Sequence, residues 1–178
     1  SSVEQAATRA VVSASLGRTI GQTEVWTGRS PVLLHIEASP EAGGILRWGI
    51  PLYRLPLAAL QHEIARIEAQ GVRIHTGRPV TPGFLRDLET SYSAVYLACG
   101  HGRTTALRVP GEELDGVGDG LAFLERIRRG ETPDVRGMSV IIGGGNTAVD
   151  VARSIVRLGG EALILYRRRR KDMPAFGD

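Results

Sequence analysis

The sequence predicts an α/β fold built on largely parallel, Rossmann-type sheets. Short β-branched runs alternate with helical stretches along the chain. One of these runs enters a glycine turn that opens directly into a helix. The composition, 42% hydrophobic and 23% charged over 178 residues, suffices for a globular core and excludes disorder. Alternation of strand and helix favours parallel pairing, because each crossover needs a dozen or more residues.

The elements are read in chain order. The first thirty residues are rich in Ser, Thr and Gly without a clean period, and no element is assigned to them. Val32–Ile36 is an apolar run of buried-strand length. From Leu57, the positions Leu60, Ile64 and Ile67 form a helical stripe that Gly71 closes. Val72–His75 reads as a short strand and Ala94–Ala98 as a buried one ending at Cys99-Gly100. A second amphipathic helix starts near Asp119 and carries Leu121, Leu124 and Ile127 inward before Gly130. Val140–Ile142 is a strand, a helix covers Thr147–Leu158, and Ala162–Tyr166 is the last strand. The glycine-rich stretch from His101 to Gly118 is the expected domain boundary.

Composition also narrows the chemistry. A single cysteine, Cys99, rules out an internal disulfide, a CxxC pair and a cysteine-held cluster or zinc site. It reads as a core thiol. The four histidines are not at HExxH spacing, and no metal site is expected. No stretch reaches the roughly 18 apolar residues of a membrane span. No signal-type segment opens the chain, so the expectation is a cytoplasmic protein with no membrane partner. The formal charge of +3 is too small to demand a nucleic-acid partner, and none is expected.

Two features carry function. Val140 to Asp150 reads VIIGGGNTAVD, in which Gly143, Gly145 and Ala148 fit G-x-G-x-x-G/A. The first glycine permits a tight turn, the second lets backbone approach a pyrophosphate, and the small third residue lets helix and strand pack closely. Gly143, Gly144, Gly145, Asn146, Thr147 and Ala148 are therefore the candidate phosphate-binding residues, served by the positive end of the helix dipole. The second feature is the run Arg167, Arg168, Arg169, Arg170 and Lys171 after the next strand. An acid at that strand end would hold a ribose 2′-hydroxyl, whereas arginine accommodates a 2′-phosphate, so the cofactor expected is NADP(H). Arg167 and Arg168 are the candidates; a solvated basic patch is the competing reading of the run.

Three segments together resemble the small (beta) subunit of NADPH-dependent glutamate synthase and its FAD- and NAD(P)H-binding relatives. They are GGILRWGIPLYRLP from Gly43 to Pro56, Val109-Pro110-Gly111-Glu112, and IGGGNTAVDVAR from Ile142 to Arg153 followed by Tyr166-Arg167-Arg168 and Asp172-Met173-Pro174-Ala175. The resemblance implies two dinucleotide-binding domains, an FAD domain interrupted by an NADP domain. Residues 31–103 are then a partial FAD domain, 104–178 a partial NADP domain, and 1–30 a degenerate or unassigned segment. It further implies that Glu37 holds the adenosine ribose of FAD, that Gly43, Gly44, Leu46, Arg47, Gly49 and Ile50 pass beside its diphosphate and ring, that Val80 lies near the adenine, and that Ala98 and Gly100 close over the pyrophosphate. Without the resemblance, Glu37 reads as a solvated strand-end acid and the Gly43–Pro51 stretch as a plain loop.

The resemblance also implies a reaction, with hydride passing from NADPH to FAD and electrons continuing to a partner subunit that accepts or donates them. The cofactors supply that chemistry, so no catalytic residue is expected; His101 is the nearest polar candidate, and reads as an ordinary loop histidine. The first FAD turn of the family lies a little over 20 residues before the ribose acid. That count falls on Ser13, Ser15 and Arg18, so poor FAD retention is expected. The segment is either diverged or a frame-disrupted reading of a first dinucleotide unit, which sequencing the parent gene decides. One β-α-β unit of the NADP domain and no returning half make an incomplete oxidoreductase the expectation. A non-catalytic NADP(H)-binding or docking module is the alternative.

Overall fold

The structure, a computed structural model, describes the backbone of residues 11–15 and, in full, residues 33–92, 94–100 and 106–175. The chain divides into two compact units, one of residues 1–47 and 56–102, the other of residues 48–55 and 103–178.

The first unit holds β1 (Val11–Ser15), β2 (Leu33–Glu37), the single-turn α1 (Gly44–Trp48, its last residue counted with the second unit), α2 (Leu57–Ala69), β3 (Arg73–His75), α3 (Pro82–Ser91) and β4 (Ala94–Leu97). Its four strands lie in the order β3-β2-β1-β4, all parallel. This is an α/β sheet of the predicted class. The central strand β1 comes from the first thirty residues, to which the sequence reading gives no element. Ser13 pairs with His35 and Ser15 with Glu37. Ser13 and Ser15 are therefore strand residues, and any turn after β1 begins no earlier than residue 16, a correction to the count made from Glu37. Arg18 lies outside the described residues.

Local chemistry explains the helices of this unit. Gly71 follows α2 at φ +93°, the left-handed position expected of it. Helix α3, not predicted, starts in the ordinary way: Thr81 Oγ1 accepts from Phe84 N at 3.2 Å and Pro82 sits in the first turn. Its Leu88 buries against Ile36, with Leu34, Val80, Phe84, Tyr92 and Val95 packed around the pair.

The second unit holds α4 (Gly120–Arg128), β5 (Met138–Ile142), α5 (Asn146–Arg157), β6 (Glu161–Leu165) and a 3-10 turn at Arg170–Asp172. Strands β5 and β6 pair in parallel, with Val140 opposite Leu163 and Ile142 opposite Leu165. Helix α4 starts where predicted, Asp119 accepting from Ala122 N at 2.7 Å, and Gly130 follows it at φ +87°. Its Leu124 joins Ile141, Ala148, Val151, Ala152 and Ile155 in one buried cluster. Alternation leaves Met138, Val140, Ile142, Leu163 and Leu165 exposed on the other sheet face. No helix among the described residues is long and apolar enough to cross a membrane.

Candidate functional site

In the second unit, β5 ends at Ile142 and Gly143 continues the ladder by donating its N–H to Leu165 O at 2.9 Å. The chain then turns sharply, with Gly143 at φ +136°, a conformation open to glycine and strained for other residues. Helix α5 starts one residue after Gly145, which is its N-cap and offers no side chain to the N–H groups of the first turn. Those groups, in Asn146, Thr147 and Ala148, face outward along the axis at the positive end of a twelve-residue helix.

The three glycines have different surroundings. A Cβ on Gly143 would meet Ala148 Cβ at 3.6 Å, which is ordinary contact between turn and helix and explains a small residue at 148. A Cβ on Gly144 would lie 2.6 Å from the Tyr166 ring. A Cβ on Gly145 would meet nothing within 4 Å. That cradle, bounded by bare backbone and a helix N-terminus, is where a phosphate can approach, and the donor set suits an anion. Thr147 turns its methyl toward Gly120 at the start of α4.

The arginine run follows β6. Arg169 Nε is held by Asp172 Oδ2 at 3.1 Å, whereas Arg167, Arg168, Arg170 and Lys171 are exposed and make no ion pair among the described residues. Tyr166 Oη donates to Asp172 O at 3.0 Å, and Ala175 N donates to Gly144 O at 3.0 Å. The run is thus a loop whose two ends rest on the glycine turn.

In the first unit, Glu37, Ser15 and Leu97 end three adjacent parallel strands, so Glu37 and the Ala98–Gly100 segment share one carboxyl edge of the sheet. Ligands of open α/β sheets bind at such edges. Glu37 is 0% exposed, not the solvated acid that the bare sequence suggests. Its Oε1 accepts from Ser39 N at 2.8 Å, and its Oε2 is buried without a hydrogen-bond partner, an acceptor that a ribose hydroxyl would satisfy. His35, two residues earlier on the same face, is buried too. Burial lowers its pKa below the ordinary value, while the neighbouring Glu37 carboxylate acts to raise it.

The stretch read as a loop from Gly43 contains α1. Gly43, at φ +129°, lies against the side chains of Arg47 and Leu60, where a Cβ would come within 2.9 and 3.0 Å. Gly44 follows at φ +48°, and Leu46 lies at the surface. Arg47 is buried, donating to Ala42 O and pairing with Glu41 at 2.7 Å. Gly49 and Ile50 belong to the 48–55 segment, which counts with the second unit. Val80 packs in the α3 cluster, and Ala98 and Gly100 follow β4, with Gly100 at φ +64°. Cys99 is half-buried, and His101 lies outside the described residues. No group of His, Cys, Asp and Glu suited to a metal occurs among the described residues.

The pyridine nucleotide-disulphide oxidoreductase family model matches residues 6–177. The chain belongs to this family. Among curated members, the chain is 40% identical over 154 residues to the NADP(+)-dependent formate dehydrogenase subunit beta of Moorella thermoacetica, covering 83% of this chain and 22% of that one. The NADPH-Fe(3+) oxidoreductase subunit beta of Geobacter sulfurreducens is 38% identical over 149 residues, 78% of this chain and 22% of its own. The NAD-dependent dihydropyrimidine dehydrogenase subunit PreT of Salmonella typhimurium is 38% identical over 125 residues, 69% of this chain and 30% of its own. The chain therefore spans under a third of the length of each of these relatives. Among solved structures, FprA from Mycobacterium tuberculosis superposes with a TM-score of 0.74 at 20% identity over 94% of this chain and 45% of FprA. A second FprA structure, in complex with NADPH, gives 0.72. At that identity the likeness is one of fold. The relatives establish the oxidoreductase family rather than the glutamate synthase branch of it.

Sequence reasoning about this family member missed two arrangements in the second unit. One is the seat of Tyr166 on Gly144. The other is the pair of Arg54 and Asp150, 2.8 Å apart, with Tyr53 Oη donating to Asp150 O at 3.3 Å. A carboxylate among Ala148, Val151, Ala152 and Ile155 on the buried side of α5 was the available signal for the second, since a buried acid requires a partner.

Proposed function

We propose that the chain provides the nucleotide sites of an NADPH-dependent flavin oxidoreductase, similar to the glutamate synthase small subunit and working with a partner subunit in the cytoplasm. The observation that carries this reading is the open backbone at Gly145 at the uncapped start of α5. There Gly143, Gly144, Gly145, Asn146, Thr147 and Ala148 would hold the pyrophosphate of NADP(H), and Arg167 and Arg168 its 2′-phosphate. The unpartnered Oε2 of Glu37 suits the adenosine ribose of FAD, with Gly43, Gly44, Leu46, Arg47, Gly49, Ile50, Val80, Ala98 and Gly100 as the further FAD residues. Bound together, the cofactors supply hydride transfer from nicotinamide to flavin. The chain's own residues bind and orient; none serves as acid, base or nucleophile. That the Moorella and Geobacter relatives are named beta subunits supports a partner subunit.

A second reading, an NADP(H)-binding module without flavin, draws on the position of β1. Counted from its end at Ser15, the G-x-G-x-x-G positions are Leu16, Arg18 and Gly21, of which only the last is glycine. One pair of measurements separates the readings. Calorimetric titration of NADP+ and NAD+ into the purified chain is expected to show binding with NADP+ preferred; no binding of either overturns both. Flavin absorbance retained after FAD is added and the chain desalted supports the oxidoreductase, and a colourless protein supports the module.

A further inference from the structure

Tyr166 is the first residue after β6, yet it is half-buried, because its ring lies against the backbone of Gly144. Three ring carbons, Cδ2, Cε2 and Cγ, would stand 2.6, 2.7 and 3.0 Å from a Cβ at that glycine. No side chain fits between them. The other face of the same contact is polar: Tyr166 Oη donates to Asp172 O, Asp172 accepts from Arg169, and Ala175 N donates to Gly144 O. The segment from Tyr166 to Ala175 is thereby a closed strap, anchored at both ends on one residue of the glycine turn. Arg167 and Arg168 are the next two residues after the ring. Their backbone position relative to Gly145, where the phosphate cradle is open, is set by where that ring sits.

We propose that Tyr166 is a specificity-determining positioning residue, which fixes the first two arginines at a set distance from the glycine turn so that a nucleotide carrying a 2′-phosphate spans the two. The inference rests on the reading of this unit as an NADP(H) site. Gly144 is the other half of the device, its missing side chain being the seat of the ring rather than room for the ligand. The requirement for glycine thus differs at 144 and 145. At 145 a side chain would stand in the ligand's path; at 144 it would displace Tyr166.

The test is calorimetric titration of NADP+ and NAD+ into the 178-residue chain and into Tyr166→Phe, Tyr166→Ala, Gly144→Ala and the Gly144→Ala/Tyr166→Ala double variant, each checked by circular dichroism and thermal melting. The unsubstituted chain is expected to favour NADP+ by about tenfold or more. Tyr166→Ala should bring the two affinities to within about threefold of one another, with NAD+ binding moved by less than about threefold. Gly144→Ala should bring the two affinities together in the same way, whatever affinity both nucleotides lose at a residue that lines the pyrophosphate. Tyr166→Phe keeps the ring on Gly144 and should fall between. The double variant should be no worse than Tyr166→Ala, because both substitutions break one contact. If Tyr166→Ala fails to fold, Gly144→Ala and Tyr166→Phe decide. A folded Tyr166→Ala or Gly144→Ala that keeps the original preference, or loses both nucleotides equally, overturns the proposal and leaves the nucleotide site standing. An unsubstituted chain that binds neither nucleotide, or both alike, overturns the site assignment itself.

Discussion

Arg54 and Asp150 meet at 2.8 Å although 96 positions separate them in sequence. The carboxylate is 4% exposed and the guanidinium 31%, so the acid is the member that cannot regain water if the pair is broken. Tyr53 adds a hydrogen bond to the Asp150 carbonyl and lies under Arg157 at 4.2 Å, so segment 48–55 is bound to α5 by three contacts from two adjacent residues.

Arg54→Ala leaves a buried carboxylate without its cation, and the expected loss of stability is about 3 kcal/mol. Replacing both members by apolar residues of similar size, Arg54→Met with Asp150→Leu, should cost less than the single substitution, since no charge is then stranded. Urea unfolding of the three proteins checks the order. A single variant as stable as the parent would show that the pair contributes nothing.

The glycines of the turn should separate stability from binding. Gly143→Ala forces a side chain onto φ +136°, with an expected cost of about 1–3 kcal/mol. Gly145 has an ordinary φ of −86° and open space around it, so Gly145→Ala should cost only about 0.5–1 kcal/mol as a poorer N-cap. Its nucleotide affinity should nevertheless fall at least about tenfold, because the methyl occupies the line of phosphate approach. Thermal melts and calorimetry on the two variants read the two effects apart. Unchanged binding by Gly145→Ala would remove the phosphate from this turn.

How much of this was legible in the residues depended on range. The β5-α5-β6 unit was readable because a β-branched run, three glycines and a helical period follow one another within 25 or so residues. Helix α4 was readable from its own ends, Asp119 and Gly130. Helix α3, to which the sequence analysis assigns no element, carries an equally local signal in Thr81-Pro82 ahead of Phe84, Leu85 and Leu88. Strand β1 was not readable: Val11-Val12 runs into Ser13-Ala14-Ser15, and only pairing with β2 and β4 on its two sides makes it central. Burial of Glu37 and the contacts Arg54–Asp150 and Tyr166–Gly144 are products of tertiary packing, for which no spacing in one sequence gives a rule.

Acid should weaken the first unit through His35. Free in the unfolded chain, this imidazole titrates near its ordinary value of about 6.5; buried in the fold, it takes a proton only at lower pH. Between those two values the unfolded chain holds more protons than the native one. Stability is therefore complete above about pH 6.5 and declines as the pH falls toward the native pKa, by at most about 1.4 kcal/mol per unit for one group. His35→Gln should flatten that decline relative to the parent, the other histidines cancelling in the difference. Glu37→Gln removes the charge that pulls the imidazole pKa upward and should steepen it. Denaturation at pH 7.5 and 5.5 decides, and parallel pH profiles for parent and His35→Gln would exclude His35 as the source.

The arginine run offers the sharpest separation of the nucleotide reading from a merely solvated basic patch. Arg169 already has Asp172 as its partner at 3.1 Å, while Arg167 and Arg168 have none among the described residues. A 2′-phosphate held by those two would gain charge-assisted hydrogen bonds of about 1.5–3 kcal/mol each. NAD+ lacks the group that makes them, so a preference for NADP+ of at least about tenfold, or 1.4 kcal/mol, is the minimum expected. Arg167→Ala with Arg168→Ala should abolish that preference while leaving NAD+ affinity nearly constant. Arg169→Ala should keep the preference, because its guanidinium is engaged within the strap, and should act only by loosening it. A solvated patch makes a different forecast: each arginine then contributes alike through long-range attraction, every substitution weakens both nucleotides in proportion to the charge removed, and the effect fades as salt rises. Calorimetry on the parent and the two variants at low and moderate salt distinguishes the two. Equal losses across the run would return Arg167 and Arg168 to the surface as ordinary solvated charge.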